Sequence, residues 1–380
     1  MPEDQSAAPT SNTTPPPAPR PEAGAPTVRT WALAGIVVVI VVGGLLYWVV
    51  GASRNSAPDL AAPRTIGIAY FRQGLSSIEA LKRTLERMGY TNLNYIEEEI
   101  MISPTMGEDM RDIYQRMLDK GVDLIWADHE HQAKVALEMT KERGIDIPIV
   151  FIVRFHDPVE YGLAESFKSS GNNATGVAGN LSEVTQRTLT FLKEIDPSIR
   201  KVGIFGQGFR VPDIAARYFA EFKKQVNGFG MEIVEFSTRV PPPQAEAEFN
   251  RMAATIRPGD VDAFVHIPGH FYETQESGEY RLAKRLGIPM SAPYEDLPGG
   301  GHFSYSTNYE FAGEESAVMV DKIFRGTLPS DIPVEYGARN ELTLHLGRAR
   351  ETGVQFPDSM IFIATEKYED DSDFPEATGH

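Results

Sequence analysis

One stretch of this chain is apolar throughout, and the remainder alternates between apolar and polar runs. Trp31 to Val50 reads WALAGIVVVIVVGGLLYWVV, without a charged side chain. About twenty apolar residues at 1.5 Å rise match the ~30 Å hydrocarbon core of a bilayer. Trp31, Tyr47 and Trp48 lie near its ends, as interfacial aromatics do. A cleaved signal peptide is the rival reading, with Val50-Gly51-Ala52 as a tolerable cleavage triplet. The apolar run exceeds the ~7–15 residues of an ordinary signal core, and a long segment precedes it. The pattern therefore predicts an uncleaved transmembrane anchor over residues 31–51. Arg20 and Arg29 precede it while Arg54 and Arg64 come after it, so the flanking charge leaves its sidedness open. Residues 1–30, rich in Pro and Ala and including Thr14-Pro15-Pro16-Pro17, predict a disordered tail. Residues 52–63 read as a linker.

Beyond the linker, short apolar strands alternate with amphipathic helices. Thr65–Tyr70 is a buried-type strand. Ser76-Ser77-Ile78-Glu79 has the spacing of a capping box opening a helix, with Ile78, Leu81, Leu85 and Met88 as its apolar stripe and Gly89 as its stop. A helix carrying Met110, Ile113, Tyr114, Met117 and Leu118 ends at Gly121. Val122–Ala127 predicts a strand, His131–Arg143 a helix, and Ile147–Val153 another strand. The order then recurs: strands at Lys201–Phe205, Met231–Phe236 and Val261–Ile267, a helix opened by Pro212, and a helix over about 273–286. Gly121-Val122-Asp123-Leu124-Ile125 is echoed by Gly259-Asp260-Val261-Asp262-Ala263-Phe264, and Arg143-Gly144-Ile145-Asp146-Ile147-Pro148 by Arg285-Leu286-Gly287-Ile288-Pro289. Such alternation means parallel sheets covered on both faces, and the echo means two doubly wound, Rossmann-like α/β lobes. The expected division places 64–181 plus about 303–326 in lobe 1, and 182–298 plus about 333–365 in lobe 2. Crossovers are expected near Leu181, Pro298–Phe303 and Gly326–Pro333, and an acidic disordered tail at 366–380.

Charge and composition narrow the function. The formal net charge of −17 lacks the basic face that nucleic acid or an anionic membrane surface requires. With no cysteine, disulfides, thiolate nucleophiles, Cys-type zinc sites, iron–sulfur clusters and a lipoprotein anchor are excluded. No HExxH, GxSxG or GxxxxGK[ST] motif occurs, and Gly299-Gly300-Gly301 is a turn rather than a nucleotide fingerprint. No enzyme activity and no cofactor are expected. Doubly wound lobes bind ligands beyond the carboxyl ends of their strands, and facing lobes make a cleft there. Polar residues at those ends are therefore the candidate ligand contacts: Arg72, then Asp128-His129-Glu130-His131, then Arg154, His156 and Asp157. In the second lobe Gln207 and Arg210 come after one strand end, and His266, His270 and Tyr272 surround another. Arginines suit a bidentate grip on an anion. His129, His131, Glu130, His156 and His266 contain metal-type donors, but they are scattered over separate segments, and no metal site is expected.

Several segments are similar to one known family. Asp146-Ile147-Pro148-Ile149-Val150-Phe151, Asp157-Pro158-Val159 and Gly171-Asn172-Asn173-Ala174-Thr175-Gly176-Val177 resemble the "PIVF…DPV…GNNxTGV" run of ABC transporter substrate-binding proteins of the tryptophan/tyrosine type. Ser304-Tyr305-Ser306, Asn308-Tyr309, Gly313, Lys322–Gly326 and Asp331–Glu335 resemble that family's C-terminal region, and the likeness runs from about Pro63 to Tyr368. The resemblance implies a type I periplasmic-binding fold, Tyr305 as a further ligand contact, and a monomer that hands a small solute, an amino acid or similar, to an ABC permease. It also implies an ectodomain outside the cytoplasmic membrane. A ligand-sensing ectodomain reporting to a membrane partner is the alternative. Glu130 departs from the family, which commonly has a small neutral turn there. A carboxylate at a helix N-terminus either disfavours an anionic ligand group or merely caps the helix.

Overall fold

The computed structural model describes residues 60–101, 106–207, 212–238, 240, 242–267, 277–337 and 339–374. The expected tail, the expected anchor and most of the linker lie outside the described residues, as do Arg210, His270 and Tyr272. Among the described residues no helix is long and apolar enough to cross a membrane.

Two sheets organise the chain. The first contains β1 (Arg64–Tyr70), β2 (Leu93–Glu99), β3 (Leu124–Ala127), β4 (Ile149–Val153), β5 (Ala174–Ala178) and, from much later in the chain, β11 (Glu335–Tyr336). Its order is β11-β5-β4-β3-β1-β2, with every neighbouring pair parallel. β3 and β4, LIWA and IVFIV, are buried at every position because helices cover both faces. These helices include α1 (Leu75–Arg87), α2 (Met106–Asp119) and α3 (Glu130–Arg143). β2, LNYIEEE, lies at the sheet edge, and it has no apolar run to announce it in the sequence. Its acidic residues instead meet cations: Glu97 with Lys82 at 2.7 Å, Glu98 with Arg116, and Glu99 with Arg72 at 3.1 Å.

The second sheet contains β6 (Lys201–Gln207), β7 (Glu232–Thr238), β8 (Ala263–Val265), β9 (Met290–Ser291), β10 (Phe303–Thr307), β12 (Asn340–His345) and β13 (Glu366–Tyr368). Its order is β13-β12-β10-β9-β8-β6-β7. All its pairs are parallel except β10 with β12, which are antiparallel. α4 (Leu181–Ile195), α5 (Pro212–Gln225), α6 (Pro242–Ala253) and α7 (Gly278–Leu286) belong with this lobe. The internal echo has a structural counterpart. Asp123 Oδ2 accepts from the Thr65 N–H at 2.7 Å, and Asp262 Oδ2 accepts from the Arg200 and Lys201 N–H groups at 2.8 Å. Each aspartate thus ties the start of its own strand to the start of the neighbouring central strand. The two echoed glycines, Gly144 and Gly287, end α3 and α7 in the left-handed conformation with φ of 63° and 66°, which costs glycine no Cβ clash.

The lobe boundaries differ from expectation in three places. β10 belongs to the second sheet rather than to lobe 1, and Phe303 is buried in the second-lobe core. The chain returns to the first lobe only at α8 (Tyr309–Phe324), which packs along α1. β11 then pairs with β5 of the first sheet before β12 re-enters the second. Crossovers therefore fall after β5, at Asn308 and between β11 and β12, where Gly337 N–H donates to Ala178 O and Asn308 N–H to Arg339 O, both at 2.9 Å. Third, the acidic segment from Glu366 is ordered to Phe374. β13 buries Tyr368 against β12, and Asp371 pairs with Arg348 and His345 at 2.8 and 2.7 Å. α9 (Leu346–Thr352) and α10 (Asp358–Ile363) complete this lobe.

Candidate functional site

The C-terminal ends of β3 and β4 bring six of the candidate residues together. Arg154, just past β4, is buried, and each part of its guanidinium has a partner. Nη2 donates to Asp128 Oδ1 at 2.8 Å and lies 3.4 Å from Ser77 Oγ; Nε donates to the Asp128 carbonyl at 3.1 Å. The guanidinium carbon lies 3.8 Å from the centre of the Tyr309 ring, a cation–π contact. Nη1 reaches Glu295 Oε1 at 3.4 Å. Glu295 comes after β9 of the second lobe, so this ion pair spans the two sheets.

Asp128 lies against the first turn of α1. A Cβ on Gly74 would fall 1.8 Å from its Oδ2, so only glycine permits this approach. Burial pushes the Asp128 carboxyl up, opposed by Arg154 and by the Ser77 hydroxyl. The expected capping box at Ser76 and Glu79 is not formed. α1 begins two residues earlier, at Leu75, with Gly74 in the cap position and no side-chain cap.

Glu130 is fully buried in the first turn of α3. Its Oε2 accepts from Arg154 N–H at 2.9 Å, its Oε1 from Phe155 N–H at 3.1 Å, and the His156 ring nitrogen Nδ1 lies 2.7 Å from Oε1. Burial opposes ionisation, but the His129 imidazole, His156 and the backbone donors outweigh it and hold the carboxyl well below its usual range. The cap of α3 is His129, whose side chain accepts from His131 N–H at 3.4 Å. Glu130 is thus neither the cap nor an exposed charge. It locks the β4 loop onto α3.

His129 is buried between Phe71 and Phe155, with ring centroids at 5.4 and 5.5 Å. Burial pulls its imidazole down to about 4, so it is neutral at pH 7. His131 and His156 lie beside it, and Tyr161 packs on His156 at 4.5 Å. Despite this density of imidazoles, no group of three His, Asp or Glu donors converges for a metal among the described residues. Asp157 is turned elsewhere: its Oδ1 accepts from Val159 and Glu160 N–H at 2.8 and 3.0 Å and closes the turn after the β4 loop. Arg72 is also apart, on the surface and paired with Glu99.

The second lobe contributes a separate acidic set. His266, just past β8, is buried, with Nδ1 2.7 Å from Glu279 Oε2 in the first turn of α7 and Nε2 3.5 Å from Asp296 Oδ2. Burial alone would lower the imidazolium, but the Glu279 and Asp296 carboxylates outweigh it and push it up to about 9. Glu279 is 2% exposed, and its other oxygen, Oε1, has no hydrogen-bond partner. Asp296 and Glu295 keep 29% and 28% of their side chains open. The lobes also meet where Phe155 packs on Tyr218 at 5.7 Å and Arg217 pairs with Glu160 at 3.2 Å.

Of the sequence candidates, Asp128, His129, Glu130, His131, Arg154 and His156 come together, and His266 in the other lobe is linked to them through Asp296 and its neighbour Glu295. Gln207 ends β6, with its side chain outside the described residues, as is His270. Tyr305 is not brought to this network: its hydroxyl donates to Glu183 on α4 at 3.1 Å. Glu279, Glu295, Asp296, Tyr309 and Ser77 are not among the sequence candidates. The signal for Glu295 and Asp296 is their place in the short segment that follows a strand end.

The sequence pattern described as ABC transporter substrate binding protein matches residues 72–368. None of the curated proteins compared matches this chain. Among solved structures, a conserved domain protein from Vibrio cholerae is similar over 80% of this chain and 99% of its own, at 19% identity and a TM-score of 0.65. The ABC domain in complex with L-Trp from Streptococcus pneumonia covers 80% of this chain and 100% of its own, at 18% identity and 0.64. A substrate binding protein with adhesive properties from Clostridium difficile, in a ligand-free open state, covers 81% and 100%, at 18% and 0.61. At these identities the structural likeness speaks for the shared two-lobed fold.

Proposed function

The chain belongs to the ABC transporter substrate binding protein family, and we propose that it is a membrane-tethered, extracytoplasmic receptor that closes two lobes on a small polar solute and presents it to an ABC permease. The observation that carries this reading is the Arg154–Glu295 pair, which joins polar networks at the carboxyl ends of both sheets. Ligand sites of doubly wound folds lie at these ends. Three crossovers side by side form a hinge about which the lobes move. The apolar run Trp31–Val50 supports the tether, and the absence of cysteine removes lipid attachment as its substitute.

The binding reading predicts that at least one small solute stabilises the full chain, held in detergent on account of residues 31–50. At a hundredfold excess over Kd the linkage is about 2.7 kcal/mol, a shift of several degrees in melting temperature. A broad panel of amino acids, amines, sugars and small anions that moves the melting temperature nowhere would reject it. The tether is tested by protease digestion of intact spheroplasts: the two lobes are expected to be released from outside while residues 1–30 stay protected.

A further inference from the structure

The cleft floor is acidic, and Arg154 within it is already engaged. Asp128, Glu130, Glu279, Glu295 and Asp296 supply five carboxylates around Arg154 and His266. The Arg154 guanidinium is held by Asp128, Ser77, the Asp128 carbonyl, Glu295 and the Tyr309 face, which leaves no fork for a ligand carboxylate. The α3 N-terminus, an anion site in folds of this kind, carries its own buried carboxylate in Glu130. On the opposite lobe the Glu279 side chain is buried with Oε1 unpartnered, although a buried carboxylate oxygen ordinarily finds a donor. It shares His266 with Asp296, whose side chain remains partly open to solvent.

We propose that this cleft selects a solute bearing an ammonium or guanidinium group and no carboxylate, with Glu279 Oε1 and Asp296 accepting from that cation. The proposal rests on the reading of the cleft as a solute site and goes beyond it by fixing the charge class. A donor N–H from the solute satisfies Oε1, and the excess of carboxylates repels anionic solutes and amino-acid carboxylates alike.

The test uses the full chain in detergent with 1,4-diaminobutane, agmatine, L-tryptophan, L-glutamate and L-rhamnose, read by calorimetric titration and thermal shift. The two carboxylate-free cations are expected to bind and the other three not. A buried charge-assisted hydrogen bond contributes enough that Glu279→Gln is expected to weaken diamine binding about tenfold or more. Asp296→Asn, at a partly open position and with the Glu279–His266 pair left in place, is expected to weaken it in the same direction, so a misfolded Glu279 variant does not remove the test. Tight binding of tryptophan, glutamate or rhamnose, or diamine binding indifferent to both substitutions, overturns the charge assignment while the receptor reading stands. Failure of every compound in this set and in the broad solute panel overturns both.

Discussion

Glu130 shows how a single residue can be found in the sequence and still be misjudged. Its position after β3 marks it as important, and the sequence leaves two roles open, a ligand-facing charge or a helix cap. It cannot show that the β4 loop folds back so that Arg154 and Phe155 present their N–H groups to this carboxylate. Glu130→Ala would leave those buried donors and the His156 ring without their acceptor. A loss of roughly 3–5 kcal/mol in urea unfolding is expected, because one partner of a buried charged network is removed. The sign with pH is set by a folded-state value held below the ordinary range. This stabilisation is complete above the unfolded carboxyl value near 4.3 and declines as pH falls toward the lower folded one. His302 gives a second acid-sensitive contribution, remote from the cleft. Its Nδ1 accepts from Met290 N–H at 2.9 Å, so Nε2 carries the proton and donates to Thr352 Oγ1 at 2.8 Å. Burial, with Arg348 and His345 adding to it, pulls this imidazole down to about 3. Stability is expected to be full above the unfolded value near 6.5 and to fall by a few kcal/mol as pH drops through 3. His302→Asn should flatten that part of the pH–stability curve; an unchanged slope would show that His302 is not its source.

At the scale of elements, long periodic helices and buried strands are legible because their apolar spacing is imposed by packing. β2 is not, since an edge strand paired with cations has no such spacing. The start of α1 is misread from sequence for a different reason. The helix already runs through Ser76, which therefore does not cap it, and Ser77 faces Asp128 and Arg154, partners more than fifty residues away along the chain. The α1–α8 contact explains why its position matters. A Cβ on Gly313 of α8 would meet the Ser77 carbonyl oxygen at 2.3 Å, so the two helix backbones touch there with no side chain between them. Ser316 beside it accepts from Trp126 Nε1 at 2.9 Å and holds the register against β3. Gly313→Ala must push α1 outward, at a cost of about 1–3 kcal/mol for overpacking. Because α1 carries Ser77, the same substitution is expected to weaken solute binding several-fold. Unfolding curves and titration of the same sample separate the two effects. Equal stability and equal affinity would mean the helices part without disturbing the site.

At the scale of the whole molecule, the duplication is readable from two short echoes, but the path between lobes is not. A strand such as FSYST has no mark assigning it to one sheet or the other, and β10 is placed by its pairing with β9 and β12. That path puts all three crossovers together at one side, the arrangement on which the proposed hinge closure rests. Against this motion stand the contacts that span the cleft: Arg154–Glu295, Arg217–Glu160 and Phe155–Tyr218. Glu295 is the partly open member of its pair, so Glu295→Gln removes the charge that draws Arg154 across while leaving Asp128 to satisfy the guanidinium. The unliganded protein should then favour wider openings. The absence of cysteine makes this directly measurable. Cysteines introduced at Glu138 on α3 and Ala220 on α5, both exposed, accept spin labels with no background. Pulsed dipolar spectroscopy is expected to show a longer and broader distance distribution in Glu295→Gln than in the parent, narrowing in both when a solute binds. A distribution that responds neither to the substitution nor to solute would mean that the lobes do not close, and the receptor mechanism would fail with it.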